Sequence, residues 1–517
     1  MNTTVTPMIR PPAHADVRTR AERPGYARWL EHTASAHGCV RPIRLTGTLH
    51  TVNPATGEIP RSTSTHALPD GVIYIPCGDR RATVCPACAE TYRADTYHLI
   101  KSGLVGGKGT PDTVSTHPAV FTTLTAPSFG PVHTRAVGKN GTIKPCRMRR
   151  AMTLCEHGRP TWCAQRHREN DRCLGTPLCA DCYDYHAHAV WNGYASELWR
   201  RTTIRLRRLV AALGRRLGPT LDVSFGKVAE YQHRGIVHFH AIIRLDARDP
   251  HDPSAVLPPP AHLTAELTRL LDEHIARAVT DTSFRTPEHP GNPRLGIPAH
   301  PGWTITWGDQ LVNRPLARVN ASDITEQQVA AYVAKYATKS TETTGFVSRR
   351  LTTDTIDQVD PDSHPGRLAL ACWDLGANPH TRGGTYADGR RVHPLRNAPI
   401  TPQRAAWRDT YGRLRRWAHM LGFGGHFATR SRRYGPTRRH LKTIRRIYRR
   451  SQQLIRTAGH RTADHLEPED TVLVVGELTY AGTGWLTPGD AELALTAAAK
   501  AREYHQAAKL ECSSRTA

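Results

Sequence analysis

Short apolar runs bounded by Gly, Pro or Asp are the clearest feature of the hydrophobic pattern. Three such runs, at 119–127, 221–231 and 236–245, are rich in β-branched and aromatic residues and predict strands. Apolar residues three and four positions apart predict helices at 183–214 and 323–339. The chain therefore carries both predicted strands and predicted helices, and no internal repeat is evident.

Two histidines, His238 and His240, interrupt the third predicted strand. Alternate residues of a strand face the same side, so the two imidazoles can form half of a divalent-metal site. If residues 233–235 form a three-residue turn, Glu230 lies opposite His238 and is the best third ligand. A two-residue turn would place Glu230 opposite Phe239 instead. A lone His-x-His is often only a pair of half-buried residues, so the neighbouring motifs decide its role.

The predicted helix at 323–339 carries two tyrosines and two lysines at helical spacing. Tyr332 and Tyr336 are four residues apart and share one face, while Lys335 and Lys339 lie on the adjoining strip. A tyrosine oxygen can attack a phosphodiester when cations stabilise the developing charge. The alternative is an ordinary amphipathic helix, with its tyrosines packed inward and its lysines in solvent.

Charge narrows the class of partner. The 517-residue chain has a formal net charge of +25 and a pI of about 10.0, which favours nucleic acid over an anionic membrane surface. Residues 403–450 hold fifteen Lys and Arg against one acid and predict a DNA-binding segment. Its candidate DNA contacts are Arg432, Arg433, Arg438 and Arg439. We expect a cytoplasmic protein without a membrane span, because no long apolar run or signal sequence is present.

Cysteine usage points to zinc. With no secretion signal, the twelve cysteines are expected to be reduced thiols and not disulfides. Two Cys-x-x-Cys pairs predict one four-sulfur zinc site made of Cys85, Cys88, Cys179 and Cys182, in which Cys77 can replace one member. A second possible site consists of Cys155, His157 and Cys163, with Cys146 as a further candidate. No metal role is expected for Cys39, Cys173, Cys372 and Cys512.

Taken together, a histidine strand followed by a two-tyrosine helix resembles the HUH endonucleases of rolling-circle replication, in the branch with two tyrosines. Within this superfamily the chain resembles the RepSA-type replication initiators of actinomycete plasmids and integrative elements. The resemblance covers most of residues 71–450. It rests on the His and Tyr motifs together with Cys85–Cys88, Phe121–Pro127, Pro177–Tyr185 and Leu421–Phe427.

The resemblance implies an α+β fold: an antiparallel HUH sheet flanked by helices, a zinc-binding cysteine-rich insertion and a basic, mostly helical C-terminal region. The histidines would hold one Mg²⁺ or Mn²⁺. One tyrosine would nick origin DNA through a 5′-phosphotyrosine link and free a 3′-OH primer, and the other would act in joining. Tyr336 is favoured over Tyr332 as the first nucleophile, because single-tyrosine relatives keep their tyrosine there. Single- and double-stranded origin DNA and the host helicase and polymerase are the implied partners.

These features divide the chain into six regions. They are a loosely ordered N-terminal region (1–70), zinc-binding elements wrapped around the first core strand (71–190), the HUH core (115–345), a linker (346–400), a basic DNA-binding region (401–460) and a tail (461–517). Two rival functions stay open at this stage. One is an HUH relaxase or transposase with the same chemistry, and the other is a zinc-dependent DNA-binding regulator without catalysis.

Overall fold

The structure is a computed structural model. It describes residues 13–52, 56–59, 61–138, 140–149, 151–316, 326–336, 338, 346, 349–378, 406–407, 409–458 and 473–514. The chain divides into two compact units. One unit, called the terminal unit here, combines residues 1–95 with residues 438–517, and the other, the central unit, spans residues 96–437.

Strands and helices alternate along the described residues. The strands are β1 (Ile43–Val52), β2 (Arg61–Ser64), β3 (Ile73–Ile75), β4 (Ala119–Leu124), β5 (Ala136–Val137), β6 (Ile143–Lys144), β7 (Leu221–Tyr231), β8 (Val237–Ala247), β9 (Ser283–Arg285), β10 (Thr304–Thr306), β11 (Leu311–Pro315), β12 (Ala428–Arg430) and β13 (Leu473–Thr483). The helices are α1 (Ala13–Ala21), α2 (Tyr26–Thr33), α3 (Pro86–Val105), α4 (Tyr185–Leu217), α5 (Thr264–Thr280), α6 (Glu326–Tyr336), α7 (His364–Leu375), α8 (Gly412–Arg416), α9 (Arg438–Ala458) and α10 (Pro488–Ser514).

The central unit is built on a five-stranded sheet with the order β11-β4-β8-β7-β12. Every neighbouring pair in it is antiparallel. The three predicted strands correspond to β4, β7 and β8, which are the three middle strands of the sheet. The predicted mixture of helices and antiparallel sheet is therefore confirmed.

One face of this sheet is covered by α4. Asp184 caps the helix, because its carboxylate accepts a hydrogen bond from the Ala187 backbone N–H at 2.8 Å. A buried stripe that includes Trp191, Trp199 and Leu206 packs on the sheet, and the ring of Trp199 meets Phe239 edge to face. Because strand residues alternate, the neighbours of Phe239 on β8 project from the other face. The helix and this face of the sheet thus form the core, and the two histidines lie on the opposite face.

On the histidine face, farther along β8, a buried ion pair fixes the chain that follows β12. Arg244 donates from Nε to Asp246 at 2.7 Å and from Nη2 to the Arg433 carbonyl at 3.2 Å. Asp246 also contacts His117 at 2.8 Å and accepts from the Ser224 hydroxyl. Burial raises the pKa of the Asp246 carboxyl, but the bonds from His117 and Arg244 outweigh it and hold the pKa below its usual value. This network attaches Arg433, in the part of the basic region that belongs to the central unit, to the sheet.

The described residues differ from two of the predicted regions in the central unit. The expected linker contains α7, whose Leu368 and Leu375 are fully buried in the core. Residues 379–400 of that region lie outside the described residues. The basic region is divided between the two units. Aromatic residues of its first part pack into the core and are therefore buried instead of exposed for stacking on bases. The buried aromatic residues are Trp407, Tyr411, Phe423, Phe427 and Tyr434.

Within 1–70, where the sequence predicted a loosely ordered region, the described residues form helices and strands of the terminal unit. Its sheet has the order β13-β1-β2, and β3 also pairs with β1. Along its length β1 pairs with β13, from Ile43 opposite Thr483 to Val52 opposite Leu473. The described residues of the predicted N-terminal region and tail therefore share one sheet and one unit. No helix among the described residues is long and apolar enough to cross a membrane.

Candidate active site

The β7–β8 hairpin brings three potential ligands together. Glu230 lies opposite His238 in the strand register, and its Oε2 is 3.1 Å from Nε2 of His238 and 3.2 Å from Nε2 of His240. The turn has three residues, 233–235, closed by a 2.9 Å bond from the Gln232 N–H to the Ile236 carbonyl. The turn length decides between the two alternatives left open by the sequence, and it places Glu230 on the histidine face.

Neighbouring side chains contact both imidazole rings, of His238 and His240, at the Nδ1 atom that does not face Glu230. The hydroxyl of Thr123, on β4, is 3.1 Å from Nδ1 of His240, and the amide of Gln232 is 3.2 Å from Nδ1 of His238. Phe121 stacks parallel to the His240 ring at 5.8 Å between centroids. The Thr123 hydroxyl can accept the Nδ1 proton of His240, the contact that normally orients a ligand histidine, whereas the Gln232 amide nitrogen is a donor and holds the His238 ring from its Nδ1 side. Both Nε2 atoms consequently face Glu230.

The donor set fits a divalent cation. Its three ligand atoms lie within 4.8 Å of one another, and Glu230 and His240 are buried. Two imidazoles and one carboxylate suit a metal that accepts mixed nitrogen and oxygen ligands. Hard cations such as Mg²⁺ and Mn²⁺ also bind phosphate oxygens, so a site with only three protein ligands leaves room for a substrate.

The tyrosine helix, α6, lies against this face. A buried stripe of small apolar residues, Val329, Ala330, Val333 and Ala334, anchors it. The ring of Tyr332 lies 5.7 Å from that of His240 and meets it edge to face, although 46% of the tyrosine remains exposed. Lys335 is exposed and Tyr336 is the last residue of the helix. Lys339 lies outside the described residues. Which tyrosine attacks first stays a prediction.

The structure corrects the predicted grouping of cysteines. Cys85 and Cys88 lie with two further thiols, Cys39 and Cys77, in the terminal unit. Sulfur atoms are 3.7 Å apart in the Cys77–Cys88 and Cys39–Cys85 pairs. Tetrahedral zinc with Zn–S bonds of about 2.3 Å has S···S edges of about 3.8 Å, so this spacing suits one ion. Cys39 lies far along the sequence from any Cys-x-x-Cys pair, which is why sequence analysis assigned it no role.

The other Cys-x-x-Cys pair has different partners. Cys179 and Cys182 lie with Cys155 and His157 in the central unit, where Nδ1 of His157 is 3.3 Å from the Cys182 sulfur. The predicted association of Cys163 with Cys155 and His157 is also corrected, because Cys163 belongs to a third cluster. That cluster consists of His133, Cys146, Cys163 and His167. The Cys163-x-x-x-His167 spacing was the available signal for it.

The four predicted DNA-contacting arginines have different surroundings. Arg433 forms an ion pair with Asp222, and the guanidinium of Arg438 lies 3.8 Å from the ring centre of Tyr92, so both help to pack the protein. Arg432 and Arg439 are exposed. Along α9, the exposed residues Lys442 and Arg446 continue the strip that begins at Arg439. Sequence analysis did not single out Lys442 and Arg446.

Comparisons with known proteins agree on one family. A family model described as "Replication initiator protein, pSAM2" matches residues 25–499. A replication initiator protein of Streptomyces ambofaciens is 41% identical over 503 residues, which cover 95% of this chain and 94% of that protein. No solved structure gives a significant match. These matches establish the class, replication initiator proteins. The chain belongs to the RepSA family of that class, as the sequence motifs predicted.

Proposed function

We propose that this replication initiator is an HUH-type enzyme that nicks and rejoins the origin DNA of a plasmid or integrative element. The observation that carries the proposal is the Tyr332 ring, 5.7 Å from His240, at the cluster of Glu230, His238 and His240. A nucleophile beside potential metal ligands is the arrangement needed for attack on a phosphodiester. The strongly basic chain supplies the attraction for a polyanionic substrate.

In the proposed reaction, the tyrosine oxygen forms a bond to phosphorus while the bond from phosphorus to the 3′ oxygen breaks. The tyrosine loses its proton, and the released 3′ oxygen gains one and becomes a primer end. A divalent cation held by Glu230, His238 and His240 would polarise the scissile phosphate. Lys335 adds positive charge next to the nucleophile. Attack of a 3′-OH on the phosphotyrosine link re-forms the phosphodiester, returns a proton to the released tyrosine and joins the strand. A second tyrosine can cleave a second origin phosphodiester and so free the 3′-OH that makes this attack.

The two tyrosines divide the work of nicking and joining in this proposal. Tyr332 is the one whose ring contacts His240, and we therefore assign it the first attack, in contrast to the order that the resemblance favours. Tyr336 follows four residues later, at the end of the same helix. The single substitutions described next distinguish the two orders.

The test uses the full chain, Mn²⁺ and single-stranded oligonucleotides that tile the origin. We expect a protein–DNA adduct on a denaturing gel, reduced at least about 100-fold by Tyr332→Phe, because the nucleophile is lost. Tyr504→Phe, at an exposed position of α10, is the matched control and should form a normal adduct. A larger loss in Tyr336→Phe would reverse the order of attack. An undiminished adduct in a variant that carries both Tyr332→Phe and Tyr336→Phe would refute the proposal.

Zinc and DNA binding complete the proposed function. The four-cysteine cluster of the terminal unit and the Cys155–His157–Cys179–Cys182 cluster would each hold one structural Zn²⁺. The exposed basic strip of α9 would neutralise phosphates of duplex origin DNA, and a host helicase and polymerase would extend the freed primer. A relaxase or transposase would form the same adduct on other target sequences. A non-catalytic regulator would bind DNA without forming any adduct.

A further inference from the structure

A cluster that includes two histidines absent from the sequence-based candidates lies in the segment that precedes α4. It consists of His133, Cys146, Cys163 and His167, whose ligand atoms all lie within 4.8 Å of one another. The His133 Nδ1 is 3.2 Å from the His167 Nε2, and the Cys163 sulfur is 3.6 Å from that same Nε2. Three of the four residues are buried.

The surroundings of the cluster resemble those of metal-bound thiolates and imidazoles. The Thr134 N–H donates to the Cys146 sulfur at 3.1 Å, a bond that a thiolate accepts. On the far side of His167, Nδ1 lies 2.8 Å from the Asp171 carboxylate. A carboxylate on the second nitrogen orients a ligand histidine and raises its basicity. Each of these contacts stabilises the form of the side chain that binds a metal.

We propose that His133, Cys146, Cys163 and His167 form a third zinc centre, separate from the two cysteine-rich clusters described above. Two thiolates and two imidazoles are a closed tetrahedral set for Zn²⁺. A competing set in the structure, His167 with Asp171 and Cys173, offers a single sulfur and uses the other ring nitrogen. It lacks a fourth ligand, so Asp171 and Cys173 are assigned to the outer shell.

This third centre holds the loop that touches the turn of the β7–β8 hairpin. The His133 N–H donates to the Thr176 carbonyl at 2.8 Å, and the Gly175 N–H donates back to the His133 carbonyl at 2.9 Å. Gly175 has a φ of +84°, and a Cβ added there would lie 2.4 Å from the backbone carbonyl carbon of His233. The two backbones are thus in close contact, and the zinc-held loop supports the turn that sets Glu230 opposite His238.

The test counts zinc in the purified full chain and its variants by native mass spectrometry and plasma emission spectrometry. Cys163→Ser should hold one ion fewer than the wild type, because a ligand is lost. Cys173→Ser is the matched control and should hold as many ions as the wild type. His133→Cys should keep the ion and His133→Ala should lose it, since only a ligand matters at that position. These readouts do not involve DNA, so they are independent of the nicking proposal.

Hydrogen exchange gives a second measurement. In Cys163→Ser, amides of the 131–177 segment and of the 233–235 turn should exchange at least about tenfold faster, while those of α10 should not change. Equal zinc in Cys163→Ser and the wild type, or loss of an ion in Cys173→Ser, would overturn the assignment. If Cys163→Ser does not fold, the wild type decides: three ions, with nine sulfur and three nitrogen ligands by X-ray absorption, are expected, and two ions would overturn it.

Discussion

Replacing Thr123 by valine should weaken the proposed Mn²⁺ site without changing any of its ligands. The Thr123 hydroxyl is 3.1 Å from Nδ1 of His240, directly across the β4–β8 ladder. When a cation occupies the site, this hydroxyl would accept the Nδ1 proton, so the Nε2 lone pair is left for the cation and the ring is kept in place. Valine keeps the shape and the strand propensity of threonine but removes this oxygen.

The expected loss follows from the kind of contact removed. Deleting an outer-shell partner of a ligand histidine typically costs about 10–100-fold in metal affinity, which corresponds to about 1.4–2.7 kcal/mol. We expect the Mn²⁺ dissociation constant of Thr123→Val to rise within that range. The measurement is a titration of the full chain followed by the electron paramagnetic resonance of free Mn²⁺.

Two further substitutions make this experiment decisive. Thr122→Val is the matched control, because its hydroxyl donates to Asn313 at 2.6 Å and its side chain projects from the other face of β4. That variant should bind Mn²⁺ like the wild type even if its stability falls. Thr123→Ser should restore the affinity, since serine keeps the hydroxyl. Equal Mn²⁺ affinity in Thr123→Val and the wild type would refute the role assigned to Thr123.

Two other predictions concern charge. Burial lowers the pKa of Lys227 to about 7, whereas an unfolded lysine titrates near 10.4, so the unfolded state binds more protons in this window and stability should rise with pH across it. The gain in the free energy of unfolding is on the order of 4 kcal/mol at most. It is limited because the charged ammonium also lies over the Phe239 ring. Urea unfolding of the wild type and of Lys227→Met at pH 7 and pH 10 measures the gain. An equally steep rise in Lys227→Met would contradict this. On α9, Arg439→Ala combined with Arg446→Ala should reduce the slope of log K against log salt for duplex DNA by about 2, with Arg269→Ala of α5 as the control, and an unchanged slope would exclude these phosphate contacts.

Local patterns predicted the central sheet well. The strands β4, β7 and β8 are short apolar runs, and the period of two along β8 was sufficient to place His238 and His240 on one face. The stripe of α6 likewise follows from its sequence, because Val329 and Val333 recur at helical spacing. These features depend only on neighbours in the chain, so their signal is present in the sequence.

Long-range pairing left no comparable signal. The strand β1 has its main partner, β13, more than four hundred residues later, and its own residues are too polar to indicate burial. Metal ligands pose the same difficulty, because Cys39 joins Cys85 and Cys88 only after the terminal unit has folded. Spacing identifies a Cys-x-x-Cys pair as half of a site, but the fold determines which thiols provide the other half.

The position of Glu230 depends both on the local sequence of the hairpin and on packing by segments distant in sequence. Its place opposite His238 depends on a three-residue turn, and Gly235 makes that turn possible with a φ of +80°. A Cβ at Gly235 would also lie 2.9 Å from Leu368 of α7 and 3.0 Å from Leu421, so the turn is packed by segments distant in sequence. The region that sequence analysis assigned to a linker therefore helps to fix the register of the hairpin. A one-residue slip would move Glu230 off the histidine face, which is why packing far from the ligands controls the geometry of the site.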